Sequence, residues 1–393
     1  MATVTVSAAR VGSMLRNRNL SPEDMASRLR RPVDVRALLA GDGELAFEDV
    51  VALAAAFSRQ WPYLLIDEPE SPRPAGHDYR TVANRRRGVT AELYEEIDAV
   101  DRMLDEAIDL LPELTVTVPA LRLGASIAPD SAGTAVRRAL DVSFTEQLAA
   151  RDDYGALRLW VAALHRQGVF VSQRKLNDPT VRAFSLRRQQ RAVVVLDTGD
   201  TPLARIFSLL HEYVHVAMRA TGVCDLNDHT ETERYCNAVA ASALLPLELI
   251  SPEVAWPWGE DDDGDDEHLR LVSRRVGVSQ AAVLIRLRDM GVLSQARFEA
   301  LELRRQSRRP IRTPGGTYYP TAINKVGRLF AHGVFDAYDG GVVSRQDAAA
   351  LLGIAEHNVA RFRSELDVLG HHVGDSRLIG GSPRRALWRR RVL

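Results

Sequence analysis

The sequence predicts a mainly α protein with a small β-sheet, an α+β class in which a helical bundle opens the chain, an α+β core lies in the middle and a second helical bundle closes it. Three observations carry this. Apolar residues recur every three or four positions along most of the 393 residues. Runs of β-branched residues concentrate between 169 and 197. Breaks containing Pro and Gly at 70–76 and 304–316 interrupt the periodic stretches. A chain of this length exceeds one small core, so its parts are expected at 1–70, 71–150 (a linker and a long helix), 151–250, 251–310 (a helical extension) and 311–393.

Ser21-Pro22-Glu23-Asp24 supplies an N-cap, a proline at the first helical position and an acid three residues on, so a helix starts there and ends near Arg30. A shorter helix at 33–39 is stopped by Gly41. With helices at 8–18 and 47–57, this gives a four- or five-helix bundle with a short turn between the second and third. After the linker, Leu93, Ile97, Val100, Met103, Leu104 and Ile108 mark one amphipathic helix over 90–111. Another helix covers 153–166. A strand follows at 169–172, and 181–186 with 192–197 reads as a β-hairpin whose Val193-Val194-Val195 run is buried on both faces.

Thr201-Pro202 caps a helix running to Gly222, and a further helix covers 230–245 and ends at Pro246. Seven acids among the eight residues 260–267 lack the ligand spacing of a calcium loop and are expected as a solvated surface loop. Two bihelical units come later, 268–276 with 279–290 across Gly277 and 344–352 with 356–366 across Gly353. The basic linker 304–316 separates them, and the tail 382–393 carries Arg384, Arg385, Arg389, Arg390 and Arg391.

Composition excludes several classes. With 46% hydrophobic and 26% charged residues the chain is neither disordered nor fibrous. No apolar run approaches the roughly 20 residues that span a bilayer, and 1–10 lacks the pattern of a signal peptide, so no membrane partner and a cytoplasmic location are expected. Cys224 and Cys236 are too few for a disulfide framework or a Cys-rich metal site. The net charge of −1 gives no global pull towards nucleic acid. Lys175 and Lys325 are the only lysines beside 49 arginines, a bias that reads as genome composition.

The chemistry concentrates in Leu210-His211-Glu212-Tyr213-Val214-His215. Four residues advance a helix by about 400°, which stacks His211 and His215 with Cβ atoms roughly 6 Å apart. Two imidazoles so placed can converge on one Zn2+ ion, while Glu212 points beside them as a base for bound water. Leu203, Ile206, Phe207, Leu210, Val214 and Met218 make the helix apolar over most of its circumference, so these polar groups line a buried cleft and need partners. A catalytic zinc takes three protein ligands and one water. Glu233 is chosen as the third because Asn237, Ala240 and Leu244 continue its face; His229 competes, and Glu231 would face away. Cys236 reads as a small core residue and Tyr213 as packing.

The segments 184–186 and 193–195, the helix Arg205-Ile-Phe-Ser-Leu-Leu-His-Glu-Tyr-Val-His215 and the stretch from Glu233 to Pro246 resemble the ImmA/IrrE-type zinc metallopeptidases. The resemblance implies a zincin-like core in which His211, His215 and Glu233 bind zinc and Glu212 acts as base. The N-terminal part resembles an XRE/Cro-type helix-turn-helix, and Asp78-Tyr79-Arg80 and Tyr318-Tyr319 are similar to segments of long family members.

The expected function is therefore a zinc-dependent endopeptidase whose substrate, by the resemblance, is a specific regulatory protein. Strand 181–186 or 192–196, whichever lies at the sheet edge, is expected to hold that substrate extended. The alternative is a DNA-binding regulator or antitoxin-like protein with a structural metal site, in which Arg31 and Arg36 touch DNA. Residues 1–70 hold 8 basic and 10 acidic side chains, so a protein-docking role competes with DNA binding there.

Overall fold

The structure, a computed structural model, describes residues 3–18, 20–29, 31–41, 43–57, 59, 61–70, 79–81, 90–110, 121, 123–124, 126–178, 181–188, 191–220, 229–254, 256–259, 262–307 and 317–371. Linker residues 71–76, Gly222, Cys224, residues 308–316 and the arginine tail lie outside this set. The chain divides into two units: Met1–His77 with Arg85–Arg102 and Leu176–Pro179, and Asp78–Asn84 with Met103–Lys175 and Thr180–Leu393.

The first unit contains β1 (Thr3–Val6), α1 (Ala8–Asn17), α2 (Pro22–Arg28), α3 (Val35–Leu39), β2 (Gly43–Ala46), α4 (Phe47–Ala56) and a 3-10 turn, Trp61–Leu65. Ser21 and Asp24 form the capping box expected of their spacing, and Asp34 caps α3. β1 and β2 pair antiparallel from Thr3↔Ala46 to Val6↔Gly43, a two-stranded sheet that four-residue segments without turn signals did not announce. Val11, Met14, Met25, Leu38, Val50, Leu53 and Phe57 fill the core. Arg18 is buried beside it at 3% exposure, 3.0 Å from Glu70 and 3.6 Å from Asp98, with its guanidinium over the rings of Phe57 and Tyr94. Asp98 lies on α5 (Ala91–Leu110), whose residues to Arg102 belong to this unit.

The second unit is built on a four-stranded sheet. Its strands β3 (Tyr79–Thr81), β4 (Phe170–Arg174), β5 (Val181–Arg188) and β6 (Arg191–Asp197) are ordered β3-β5-β6-β4. β5 and β6 form the expected hairpin, and β4 runs parallel to β6. β6 is buried throughout, as its valine run requires. Neither hairpin strand is an edge: β3 covers β5, and β4 flanks β6. The sequence expectation of a free hairpin edge is thereby corrected; a three-residue strand brought from a hundred residues away has no local signature.

Helices α6 (Pro129–Leu140), α7 (Phe144–Leu148), α8 (Asp153–Arg166), α9 (Pro202–Ala220) and α10 (His229–Leu244) pack with the sheet into one core that includes Trp160, Ile206, Phe207, Leu210, Val214 and Ala240. α6 and α7 occupy a stretch read from sequence as linker. Then come α11 (Leu247–Val254), α12 (Asp262–Val276), α13 (Gln280–Asp289) and α14 (Gln295–Ser307). The acidic stretch 260–267 is not a solvated loop over its described part: from Asp262 it is the first turn of α12, with Asp265 and Asp266 buried. Asp265 accepts from Trp256 Nε1 (2.8 Å), Gly259 N (2.8 Å) and Arg297; Asp266 pairs with Arg304 (3.0 Å). Carboxylates suit a helix N-terminus, and arginines from α14 compensate their burial.

α15 (Tyr318–Val326), α16 (Arg328–Asp339), α17 (Arg345–Leu352), a 3-10 turn (Glu356–Asn358) and α18 (Val359–His371) complete the unit. They close the outer side of β4: Ser172 Oγ donates to Lys325 O (2.5 Å), and a Cβ on Gly327, which sits at φ +86°, would strike Val171 O. No helix among the described residues is long and apolar enough to cross a membrane.

Candidate metal centre

α9 carries the first two donors. Its start is tied to the sheet by Arg205, which donates to Asp200 O (2.9 Å), Thr198 O (3.1 Å) and Gln173 Oε1 (3.0 Å). One turn separates His211 from His215, and both imidazoles are buried with their Nε2 atoms 3.1 Å apart. α10 supplies the third. Glu233 Oε2 lies 3.2 Å from His211 Nε2, and Oε1 lies 3.3 Å from His215 Nε2.

The two imidazole nitrogens stand 3.1 Å apart, each has one oxygen of the Glu233 carboxylate at 3.2–3.3 Å, and one ligand atom from each of the three residues falls within 4.8 Å of the others. Four ligands at 2.0–2.1 Å from a tetrahedral centre stand about 3.3 Å apart, so these residues fit one small divalent ion with a fourth direction left over. Among the described residues this is the one cluster of His, Cys, Asp and Glu that could hold a metal. The third donor chosen from sequence is in place, the exposed Glu231 is not part of the cluster, and the His229 side chain lies outside the described set.

The electrostatics point the same way. Burial penalises the Glu233 carboxylate, but the two imidazoles outweigh that penalty and hold it below its usual range. Burial also opposes a charge on His215, yet Cys236, Glu233 and Glu212 raise its proton affinity well above normal. Two neutral imidazoles and two carboxylates sum to −2, and a divalent cation between them neutralises that charge.

Two neighbours were not assigned from sequence. Ser185, buried in the middle of β5, has its Oγ 2.8 Å from Glu212 Oε2 and donates to it. A serine between Ala183-Phe184 and Leu186 was the available signal, since a buried hydroxyl needs a partner. Cys236 is buried as expected, but its Sγ also lies 3.8 Å from His215 Nδ1. With Nε2 turned to the metal position, Nδ1 faces this sulfur, a contact that orients the ring. Cys236 stands three residues after Glu233, on the same face of α10. Tyr213 is packed in the core, its hydroxyl pushed up by burial.

The residues assigned to DNA sit in the first unit. Arg31 pairs with Glu48 (3.0 Å) and Asp49 (2.7 Å), and Arg36 with Glu23.

No curated protein matches the chain. Residues 164–288, which contain β4 to β6, α9, α10, the three donors and Glu212, match the family of the IrrE N-terminal-like domain, a peptidase family, and this stretch, with its His211/His215/Glu233 cluster, is similar to that domain.

Proposed function

We propose that the second unit is a zinc-dependent endopeptidase that hydrolyses one peptide bond in a regulatory protein. The observation that carries this is the cluster of His211, His215 and Glu233 next in sequence to Glu212, whose nearest donor atoms stand 3.1–3.3 Å apart, close enough to share one ion. His211, His215 and Glu233 would hold the ion. When bound, zinc supplies a positive charge beside the scissile carbonyl and lowers the pKa of water towards 7. Glu212 takes the proton from the attacking water and returns it to the leaving amine. Ser185 holds Oε2 of that carboxylate, which leaves Oε1 to carry the proton. Cys236 keeps His215 from turning.

The test is metal content and turnover together. Purified protein is expected to carry about one zinc per chain, the count of a single three-ligand site. Glu212→Gln is expected to keep that zinc and lose cleavage of the partner regulator. A chain without stoichiometric metal, or a variant that still cleaves, overturns the reading.

The first unit supports a docking role more than a DNA-binding one. Its resemblance to a helix-turn-helix rests on α2 and α3, but α3 has five residues and Arg31 and Arg36 both pair with acids of the same unit. Phosphate binding would have to break those pairs. A salt titration decides: affinity for a specific DNA site that falls steeply with salt restores the DNA-binding alternative.

A further inference from the structure

A peptidase that holds its substrate extended needs a strand edge beside its catalytic base. In this sheet the strand beside the base is β5, because Ser185 bonds Glu212. One side of β5 belongs to β6. On the other side lies β3, antiparallel, with Tyr79 opposite Phe184, Arg80 opposite Ala183 and Thr81 opposite Val181. Among the described residues the pairing thus reaches Phe184, next to Ser185. The opposite edge of the sheet is β4, closed off by α15 and α16 through Ser172 and Gly327.

β3 is an unusual edge strand. It has three residues, and its register slips between Arg80 and Thr81. Chain to His77 and from Arg85 belongs to the first unit, whereas Asp78–Asn84 belongs to the second. A three-residue antiparallel pair with a bulge holds few ladder hydrogen bonds, each of modest net strength. Such a strand is displaceable at small cost.

We propose that the outer edge of β5 is the docking edge for an extended peptide, and that β3 occupies it in cis, so that substrate binds only by displacing this strand. The inference rests on the peptidase reading and adds regulation to it: β3 blocks the edge that substrate must use.

Two variants of the zinc-loaded full-length chain test it. The double substitution Tyr79→Pro, Arg80→Pro removes two successive N–H groups, one of which faces β5 because strand donors alternate. Arg80→Cys with Ala183→Cys, in a Cys224→Ser background, locks β3 in place, since antiparallel partners lie roughly 4.5–5.5 Å apart at Cα, within disulfide range. Both are read in a Glu212→Gln background by fluorescence anisotropy with a labelled pool of mixed-sequence peptides about ten residues long, enough to span such a strand. Hydrogen exchange over 181–184 is followed in parallel.

The proline variant is expected to speed exchange at 181–184 and to bind the pool about tenfold more tightly, the factor that corresponds to one net hydrogen bond. The oxidised cysteine pair is expected to slow exchange and abolish binding, with dithiothreitol restoring it. Equal peptide binding by the locked, proline and parent forms would overturn the proposal. Since binding is read without catalysis, a failure to cleave with Glu212 intact overturns the peptidase reading alone.

Discussion

Gln147→Leu offers the sharpest test of what positions the metal centre. α10 must present Glu233 to α9 with sub-ångström accuracy, and its far end is where it is held. The last carbonyls of a helix lack partners within it. Here buried side chains supply them: Arg137 Nη1 donates to Ala243 O (2.9 Å), Gln147 Nε2 to Leu244 O (3.1 Å) and Arg286 Nε to Leu245 O (2.9 Å). Gln147 also donates to Val276 O (2.9 Å), which ends α12, and accepts from Arg137 (2.7 Å). Leucine has nearly the same volume, so the substitution removes hydrogen bonds and leaves packing. It orphans two buried carbonyls at about 1–3 kcal/mol each and deprives Arg137 of one acceptor, so a loss of about 3–5 kcal/mol is expected in urea unfolding followed by circular dichroism. Glu233 lies eleven residues before Leu244, roughly 16 Å along the axis, so zinc affinity should change by less than about tenfold. A loss below about 1 kcal/mol would refute the view that these side chains hold α10.

Three further outcomes are expected. Ser185→Ala removes the donor to Glu212 Oε2; a hydrogen bond to a charged group contributes about 1.5–3 kcal/mol, so kcat should fall roughly tenfold to a hundredfold while metal content by mass spectrometry stays constant. Gly133→Ala should destabilise by about 1–3 kcal/mol in the same urea assay, because its Cβ would stand 2.7 Å from Ala243 N and Ser242 Cβ, where α6 meets α10 and only a backbone shift can relieve the clash. In the first unit, burial opposes the Glu70 charge, but Arg18, Asn17 and Arg59 overcome it and hold the carboxyl at about 2 against an ordinary 4.5. A depressed carboxyl contributes stability above its unfolded pKa, so about 3 kcal/mol is present at neutral pH and drains away as pH falls from 4.5 towards 2. Glu70→Gln should flatten that acid limb when exchange of the amides of β1 and β2 is measured against pH.

What could be read from sequence follows from the range over which each signal acts. α9 and α10 were legible because a helix writes its period and caps into neighbouring residues, and the start of α9 and the end of α10 fall within one residue of expectation. The β5–β6 hairpin was legible for the same local reason. His211, Glu212 and His215 share one turn, and Glu233 followed from the face it shares with Ala240 and Leu244. The misses are non-local or unheeded. β3 pairs across a hundred residues. The acids at 263–266 look solvated until Arg297 and Arg304 arrive from α14. α7, by contrast, had its signature in plain view, a Ser143–Glu146 capping box.

The way the two helices are anchored says where the metal matters. α9 is fixed at its first turn by Arg205, and α10 at its last by Arg137, Gln147 and Arg286, whereas the donors sit towards the opposite ends, His215 late in α9 and Glu233 early in α10. An ion shared by the three donors therefore clamps the helix ends opposite these anchors, and its binding energy becomes local folding energy. Chelation should accordingly accelerate hydrogen exchange in the first two turns of α10 and the last two of α9, while β6, buried along its whole length, keeps its protection. If chelation instead loosened β6 and the α10 end together, the ion would be supporting the entire core. α9 and α10 would then have no frame independent of the metal, contrary to the arginine and glutamine anchors described above.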